Sequence, residues 1–368
     1  MKVTFPFMGT TLIFEKLFQL FGHKVIAPPR PTQRTIDLGV KYSPEFACYP
    51  YKVLLGSYIE ALEQGAQVVV TSGGSGPCRA GYYSEVHLKT LRHMGYDVDF
   101  IVFDDFKRDP ALFMENIRRI KGANSWTKAF RIVLTVYELA RALDRLQKTV
   151  ELQRAYESEK GSFNKAFDEI TRRFAGEVRG VGDVKRLYRE AAARLAALPC
   201  RETPEPDKIR IGIVGEIYVV MEPSINMNIA EVLNNLGCEV SRSMYISEWV
   251  DHNFWPKFLT HKSGEWIIQK SKDYIEIGIG GHERHNIGNI IHYKEMGFDG
   301  VIHLMPFACL PELITQSVIP RIAQDWDIPI LTLALDEQTG IANNLTRIEA
   351  FVELLRNAKW NHPMTPAV

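Results

Sequence analysis

Gly300-Val301-Ile302-His303-Leu304-Met305 is an apolar run broken only by His303, and it ends at Pro306. A run that is apolar on both alternating faces belongs to a strand covered on both sides, as in parallel sheets flanked by helices. Proline cannot continue a hydrogen-bonded ladder, so the strand stops there. Phe307-Ala308-Cys309-Leu310-Pro311 then falls on a loop at the strand's carboxyl end, the edge where open α/β sheets collect ligands. Ile209–Gly215 and Gln67–Thr71 are runs of the same kind.

Taken in order, the chain alternates strands with helices. Lys2–Phe5 and Lys24–Ala27 read as strands around a helix of about ten residues ending near Gly22, a right-handed βαβ unit. Residues 32–47 read as a polar approach to Cys48. A helix from Tyr51 to Gln64, a strand over Gln67–Thr71, a helix over Gly81–Met94 and a strand over Asp97–Phe103 follow. From 109 to 199 the composition turns to Ala, Leu, Glu, Arg and Lys with helical spacing of apolar residues, and Ser162 or Asn164 is the expected cap after Lys160-Gly161. Arg201–Asp207 reads as a linker. Strands at 209–215, 239–240, 300–305 and 329–335, with helices at 225–236, 312–324 and 345–358, form a second α/β region. The expected fold is α/β, two Rossmann-like parallel-sheet domains with a helical insertion or subdomain between them, divided at 1–108, 109–207 and 208–368.

The chain has 368 residues, with Lys plus Arg and Asp plus Glu both at 44. Zero formal charge offers no attraction to nucleic acid or to an anionic membrane. No stretch is apolar for long enough to span a bilayer, and the N-terminus lacks a signal-peptide pattern, so a cytoplasmic location is expected. Five cysteines are too few for a disulfide scaffold.

Three of those cysteines share a setting. Cys48 lies in Ala47-Cys48-Tyr49-Pro50, Cys78 in Gly73-Gly74-Ser75-Gly76-Pro77-Cys78-Arg79, and Cys309 in the loop already described. Each lies beside proline, in a segment expected to be a loop at a strand end. Thiolate is a soft ligand suited to iron–sulfur clusters and zinc. The absence of a close CxxC pair argues against a zinc finger, and there is no four-cysteine ferredoxin run. The expectation is that Cys48, Cys78 and Cys309 converge on one cluster, with Cys200 and Cys238 as buried filler. Gly74 and Gly76 would let backbone amides approach the cluster or would form only a tight turn, and Arg79 would offset cluster charge or anchor its loop to a carboxylate. No P-loop is present.

These blocks make the sequence resemble the 2-hydroxyacyl-CoA dehydratase superfamily, in particular a branch related to activase-associated and double-cubane cluster proteins. The resemblance rests on Ala47–Pro50, on Gly76–Tyr83, on His303–Pro311 through Pro329 and Leu333 to Asp336, Gln338 and Arg347–Phe351, and on Gly215–Tyr218 with Glu222–Asn226. It implies a [4Fe-4S] cluster on Cys48, Cys78 and Cys309. It also implies a separate ATP-hydrolysing iron–sulfur activator as electron donor, and a homodimer or related-subunit heterodimer. A double cubane, which takes six thiols, does not fit five cysteines.

Three thiolates leave one iron with an exchangeable ligand. The main expectation is therefore an oxygen-sensitive enzyme component using this cluster for one-electron reductive chemistry on an acyl-CoA or small molecule. The alternative is a non-catalytic electron-transfer or cluster-bearing partner protein, and a third reading is a metal-free protein that keeps only the fold. Glu216, Tyr218 and His285 are the catalytic candidates. Glu216 would equally serve as a helix cap, and His285 as a structural residue.

Overall fold

The computed structural model describes residues 1–73, 77–103, 109–253, 264–338 and 340–361. The expected apolar runs become two four-stranded sheets. The first contains β1 (Lys2–Thr4), β2 (Lys24–Val25), β3 (Val68–Ser72) and β4 (Asp99–Phe103) in the order β2-β1-β3-β4. The second contains β5 (Ile209–Gly215), β6 (Cys238–Arg242), β7 (Gly300–Pro306) and β8 (Ile330–Leu335) in the order β6-β5-β7-β8. All the strand pairs are parallel. The two sheets thus share one topology, and the fold is two Rossmann-like α/β units with helices between and around them. In each, the strand order reverses between the first and third strands of its unit, β1/β3 and β5/β7. Helices leave the sheet in opposite directions at such a point and open a crevice at the carboxyl ends of the strands.

The first sheet carries α1 (Leu12–Phe21), α2 (Gln33–Tyr42), α3 (Tyr49–Glu63) and α4 (Tyr83–His93). Gly22 ends α1 in the left-handed region, φ 89°, a conformation that costs glycine little. The polar approach expected over 32–47 is instead largely α2. Thr32 opens it with a reciprocal bond to Thr35. Gly39 faces the backbone of Lys52 and Gly56 faces the backbone of Thr35, so α2 and α3 pack at glycine-to-backbone distance.

The helical segment holds α5 (Pro110–Lys121), α6 (Trp126–Gln153), α7 (Ser162–Glu177) and α8 (Val181–Ala196). In α6 Leu139, Leu143, Leu146 and Val150 are buried at helical spacing. Polar contacts then fix α6 to the second sheet. Asp144 accepts a bond from the Ser247 amide at 2.7 Å, and Glu151 pairs with Arg242 at 2.8 Å with both side chains buried. One apolar core runs from Val3 and Phe18 through Leu139 and Phe163 to Ile211 and Leu333, joining all three parts. Neither Ser162 nor Asn164 caps α7. Gly161 holds that position at φ 85°, and the Glu157 carboxylate accepts from Gly161 N at 2.8 Å and Phe163 N at 3.3 Å. An acceptor reaching back from the preceding turn does the work of a cap side chain.

The second sheet carries α9 (Ile217–Met221), α10 (Ile229–Asn235), α11 (Ile246–Asn253), α12 (Glu265–Lys270), α13 (Glu283–Glu295), α14 (Leu310–Trp326) and α15 (Ile341–Asn361). Among the described residues no helix is long and apolar enough to cross a membrane. Cys238 is fully buried filler on β6, as expected, whereas Cys200 is exposed.

Candidate functional site

Each of the three cysteines opens a helical element. Cys48 is the N-cap of α3, Cys309 is the N-cap of α14, and Cys78 opens the 3-10 turn Arg79–Tyr82 that leads into α4. Pro50 and Pro311 occupy the first helical turn, where a missing N–H is not needed. Cys78 follows β3 and Cys309 follows β7, so the two loops hold equivalent places in the two sheets, at their switch points. Ala308, just before Cys309, sits in the left-handed region at φ 60°, an unfavourable conformation for alanine that turns the chain into α14.

Arg79 ties the loops together. Its guanidinium donates to the carbonyl of Phe46 at 2.8 Å and to the carbonyl of Ala308. One side chain thereby joins the loop of Cys78 to the residues just before Cys48 and Cys309. Among the described residues its hydrogen-bond partners are these two carbonyls. Cys48 and Cys309 are buried in one apolar cluster with Tyr51, Leu55 and Tyr58. The two units are held face to face at this edge by Lys52 and Glu337, paired at 2.5 Å, and by Gly9 N donating to Glu222 at 3.1 Å. Glu222 also accepts from Ser224 N and Oγ, so its position is accounted for by structure.

Burial pushes all three thiols up, holding them protonated. The charge of Glu216 pushes each in the same direction. The amides of Tyr51, Ala80 and Glu312 act the other way and favour thiolate, although none closes a regular capping bond. Such thiols are poor free nucleophiles, since nucleophilic cysteine needs an electropositive setting. Coordination to iron or another soft cation removes the proton outright, so the chemistry of this donor set suits metal ligation better than covalent catalysis.

Of the other expected residues, Glu216 is the N-cap of α9 and accepts from Val219 N at 3.0 Å. Burial, then repulsion from Glu312, pushes it from the usual 4.5 to about 7. Tyr218 lies behind it, buried, with a hydroxyl that has no hydrogen-bond partner among the described residues. His285 is turned to Asn289, which contacts Nδ1 at 3.1 Å, and packs against Gly264 at the start of α12. Gly74 and Gly76 lie outside the described residues.

Sequence reading missed the groups that hold this arrangement. His303 Nε2 meets Glu312 at 2.8 Å with both side chains fully buried. Asn286 donates to both Glu312 oxygens at 3.0 and 2.9 Å and accepts from Gly215 N at 3.1 Å. This network fixes β5, β7, α13 and α14 around Glu216 and Cys309. Glu312 stands three residues after Cys309, but nothing local marks its partners. Glu283, the first residue of α13, has one buried oxygen without a hydrogen-bond partner among the described residues, and its charge reaches Cys78. The hydroxyl of Tyr83 meets Cys48 Sγ.

The family described as 2-hydroxyglutaryl-CoA dehydratase, D-component, matches residues 13–355. The chain belongs to this family. The match bears out the resemblance to the dehydratase superfamily. A search of curated proteins found no match. Membership in the D-component family corrects the main functional expectation. Among the described residues no group of three or more His, Cys, Asp or Glu is arranged to hold a metal ion. A D-component without such a group does not support a subunit that itself performs one-electron chemistry on an acyl-CoA or small molecule at a three-cysteine cluster. The findings favour the alternative, a non-catalytic electron-transfer or cluster-bearing partner. The geometry argues against a single bound ion such as zinc. It does not bar a polynuclear cluster, because cubane ligands bind different irons and stand farther apart than the ligands of one ion.

The shift of Glu216 has a measurable consequence. Its folded value lies above the unfolded one, so the folded state holds an extra proton between them. That contribution to stability is complete below about pH 4.5 and is lost as pH rises through about 7. Denaturant unfolding of the metal-free protein across this range should show wild type losing up to about 3 kcal/mol relative to Glu216→Gln. Parallel pH profiles for the two proteins would remove Glu216 from the buried edge.

Proposed function

We propose that the protein is a cluster-bearing electron-transfer partner in a dehydratase-type system, with Cys48, Cys78 and Cys309 as ligands of one [4Fe-4S] cluster. The observation that carries this reading is Arg79, which staples all three cysteine loops at the facing switch points of two like sheets. Soft thiols and backbone amides directed at them favour an iron–sulfur group at this edge. Glu216, poised near neutrality, is the group suited to hold a proton when the cluster gains negative charge.

The surface around the thiols supports a protein partner rather than a closed pocket. Phe46, Tyr82 and Phe307, one near each cysteine, are 71, 65 and 51 % exposed. Electron transfer needs the two centres close together, and aromatic residues at the rim suit a docking partner with an apolar face. The donor in this reading is the separate ATP-hydrolysing iron–sulfur activator, and the acceptor is another component of the system.

The test is electron transfer by the protein alone. Purified and photoreduced without oxygen, it should pass about one electron per chain to an oxidised viologen and leave an acyl-CoA unchanged. Turnover of a 2-hydroxyacyl-CoA by the isolated reduced chain, or failure to reduce the dye with iron bound, would contradict the proposal.

A further inference from the structure

The Tyr83 hydroxyl is directed at the Cys48 sulfur. Tyr83 is the first residue of α4, five residues after Cys78, yet its oxygen meets Cys48 from another loop. Its ring stands edge-on to Tyr51, with centroids 5.1 Å apart and planes at 78°, and 5.8 Å from His87. Tyr51 in turn stacks on His87 at 4.1 Å, and His87 Nε2 contacts the Tyr51 carbonyl at 3.1 Å. Burial pushes His87 down to about 3, so the packing around the tyrosine is neutral. This aromatic group fixes the direction of the Tyr83 hydroxyl. A tyrosine hydroxyl can donate as well as accept, and a ligand sulfur offers it an acceptor.

We propose that Tyr83 donates an O–H···S hydrogen bond to the Cys48 thiolate and so raises the reduction potential of the group bound there. The inference rests on Cys48 being a ligand. A hydrogen bond to a ligand sulfur stabilises the form with more negative charge, which is the reduced one, and this is one of the levers that set cluster potentials. Reduction adds one electron to the cluster, while the tyrosine proton stays on oxygen. Tyr83 is a positioning and tuning residue that touches a ligand.

The experiment compares wild type, Tyr83→Phe and Tyr274→Phe, all loaded with iron and sulfide without oxygen. Midpoint potentials come from a dye-mediated titration followed by electron spin resonance, and Fe–S stretching bands are recorded in H2O and in D2O. Tyr83→Phe should keep its iron and fall to about one tenth the wild-type ratio of reduced to oxidised cluster at a fixed poise, a shift of about 59 mV for a one-electron couple. It should also lose part of the deuterium shift of the Fe–S bands. Tyr274→Phe, which loses a hydroxyl bonded to Asp325 at the end of α14 remote from Cys309, should match wild type. Equal potentials and equal deuterium shifts in a fully loaded Tyr83→Phe would overturn the tuning role while leaving the ligands in place. Wild type that takes up no iron would overturn the ligand reading and this inference with it.

Discussion

Glu312→Ala is expected to destabilise the protein by about 3–5 kcal/mol, the cost of removing one partner from a buried pair. The carboxylate accepts from Asn286 and meets His303, and all three side chains are buried. Truncation leaves the imidazole and the amide facing each other in an apolar interior without an acceptor, and unmade buried hydrogen bonds are costly. The damage should also be directed. Asn286 supports Gly215 N, Glu312 follows Cys309 in the first turn of α14, and Gly215 precedes Glu216. Urea denaturation reads the stability, and alkylation of Cys309 reads the loosening of its loop. Glu312→Gln keeps one acceptor oxygen and should lose less. A stability within 1 kcal/mol of wild type for Glu312→Ala would show that the network does not hold this edge.

Gly56→Ala is the second change expected to be large, at roughly 2–3 kcal/mol or more, although it adds a single methyl. A Cβ at Gly56 would overlap the Thr35 carbonyl, and one at Gly39 would overlap the Lys52 carbonyl. Both obstacles are backbone, which cannot swing aside as a side chain does. The α2 and α3 helices would have to separate, breaking the buried Thr35 to Glu60 bond of 2.5 Å and shifting the N-terminus of α3, where Cys48 sits. Gly176→Ala is the control. It also lies in a helix, but nothing stands within 4 Å of its Cβ position, so the gain in helix propensity should stabilise it by about 0.5–1 kcal/mol. Opposite signs for the two substitutions would establish close packing as the cause, while equal small effects would contradict it.

The two sheets were legible because their central strands β3, β5 and β7 are largely apolar runs, a signal that survives without knowledge of neighbours. The loop position of Cys309 followed from Pro306, and the helix after Cys48 from the apolar spacing beyond Pro50. The α2 helix escaped because its packing face is made of Thr35 and Gly39, small residues whose value lies in contact with a helix not adjacent at those points in sequence. Glu157 as the cap of α7 escaped because the capping oxygen comes from four residues before Gly161, not from the cap residue. In the candidate site, the residue types able to bind iron were visible, but the staple at Arg79, the hydroxyl at Tyr83 and the network of His303, Glu312 and Asn286 depend on loops brought together only by the fold. The expected reaction was corrected for a different reason. Ligand chemistry in a sequence indicates what a site can hold, and it does not decide whether the chain turns over a substrate or serves a component that does.

Iron and sulfide content of the anaerobically purified protein tests the assignment of Cys48, Cys78 and Cys309 most directly. Wild type should carry about four irons and four sulfides per chain. Cys48→Ala, Cys78→Ala and Cys309→Ala should each lose most of them, while Cys200→Ala and Cys238→Ala keep them. Iron retained in all of the first three variants, or absent from wild type purified without oxygen, would contradict the account.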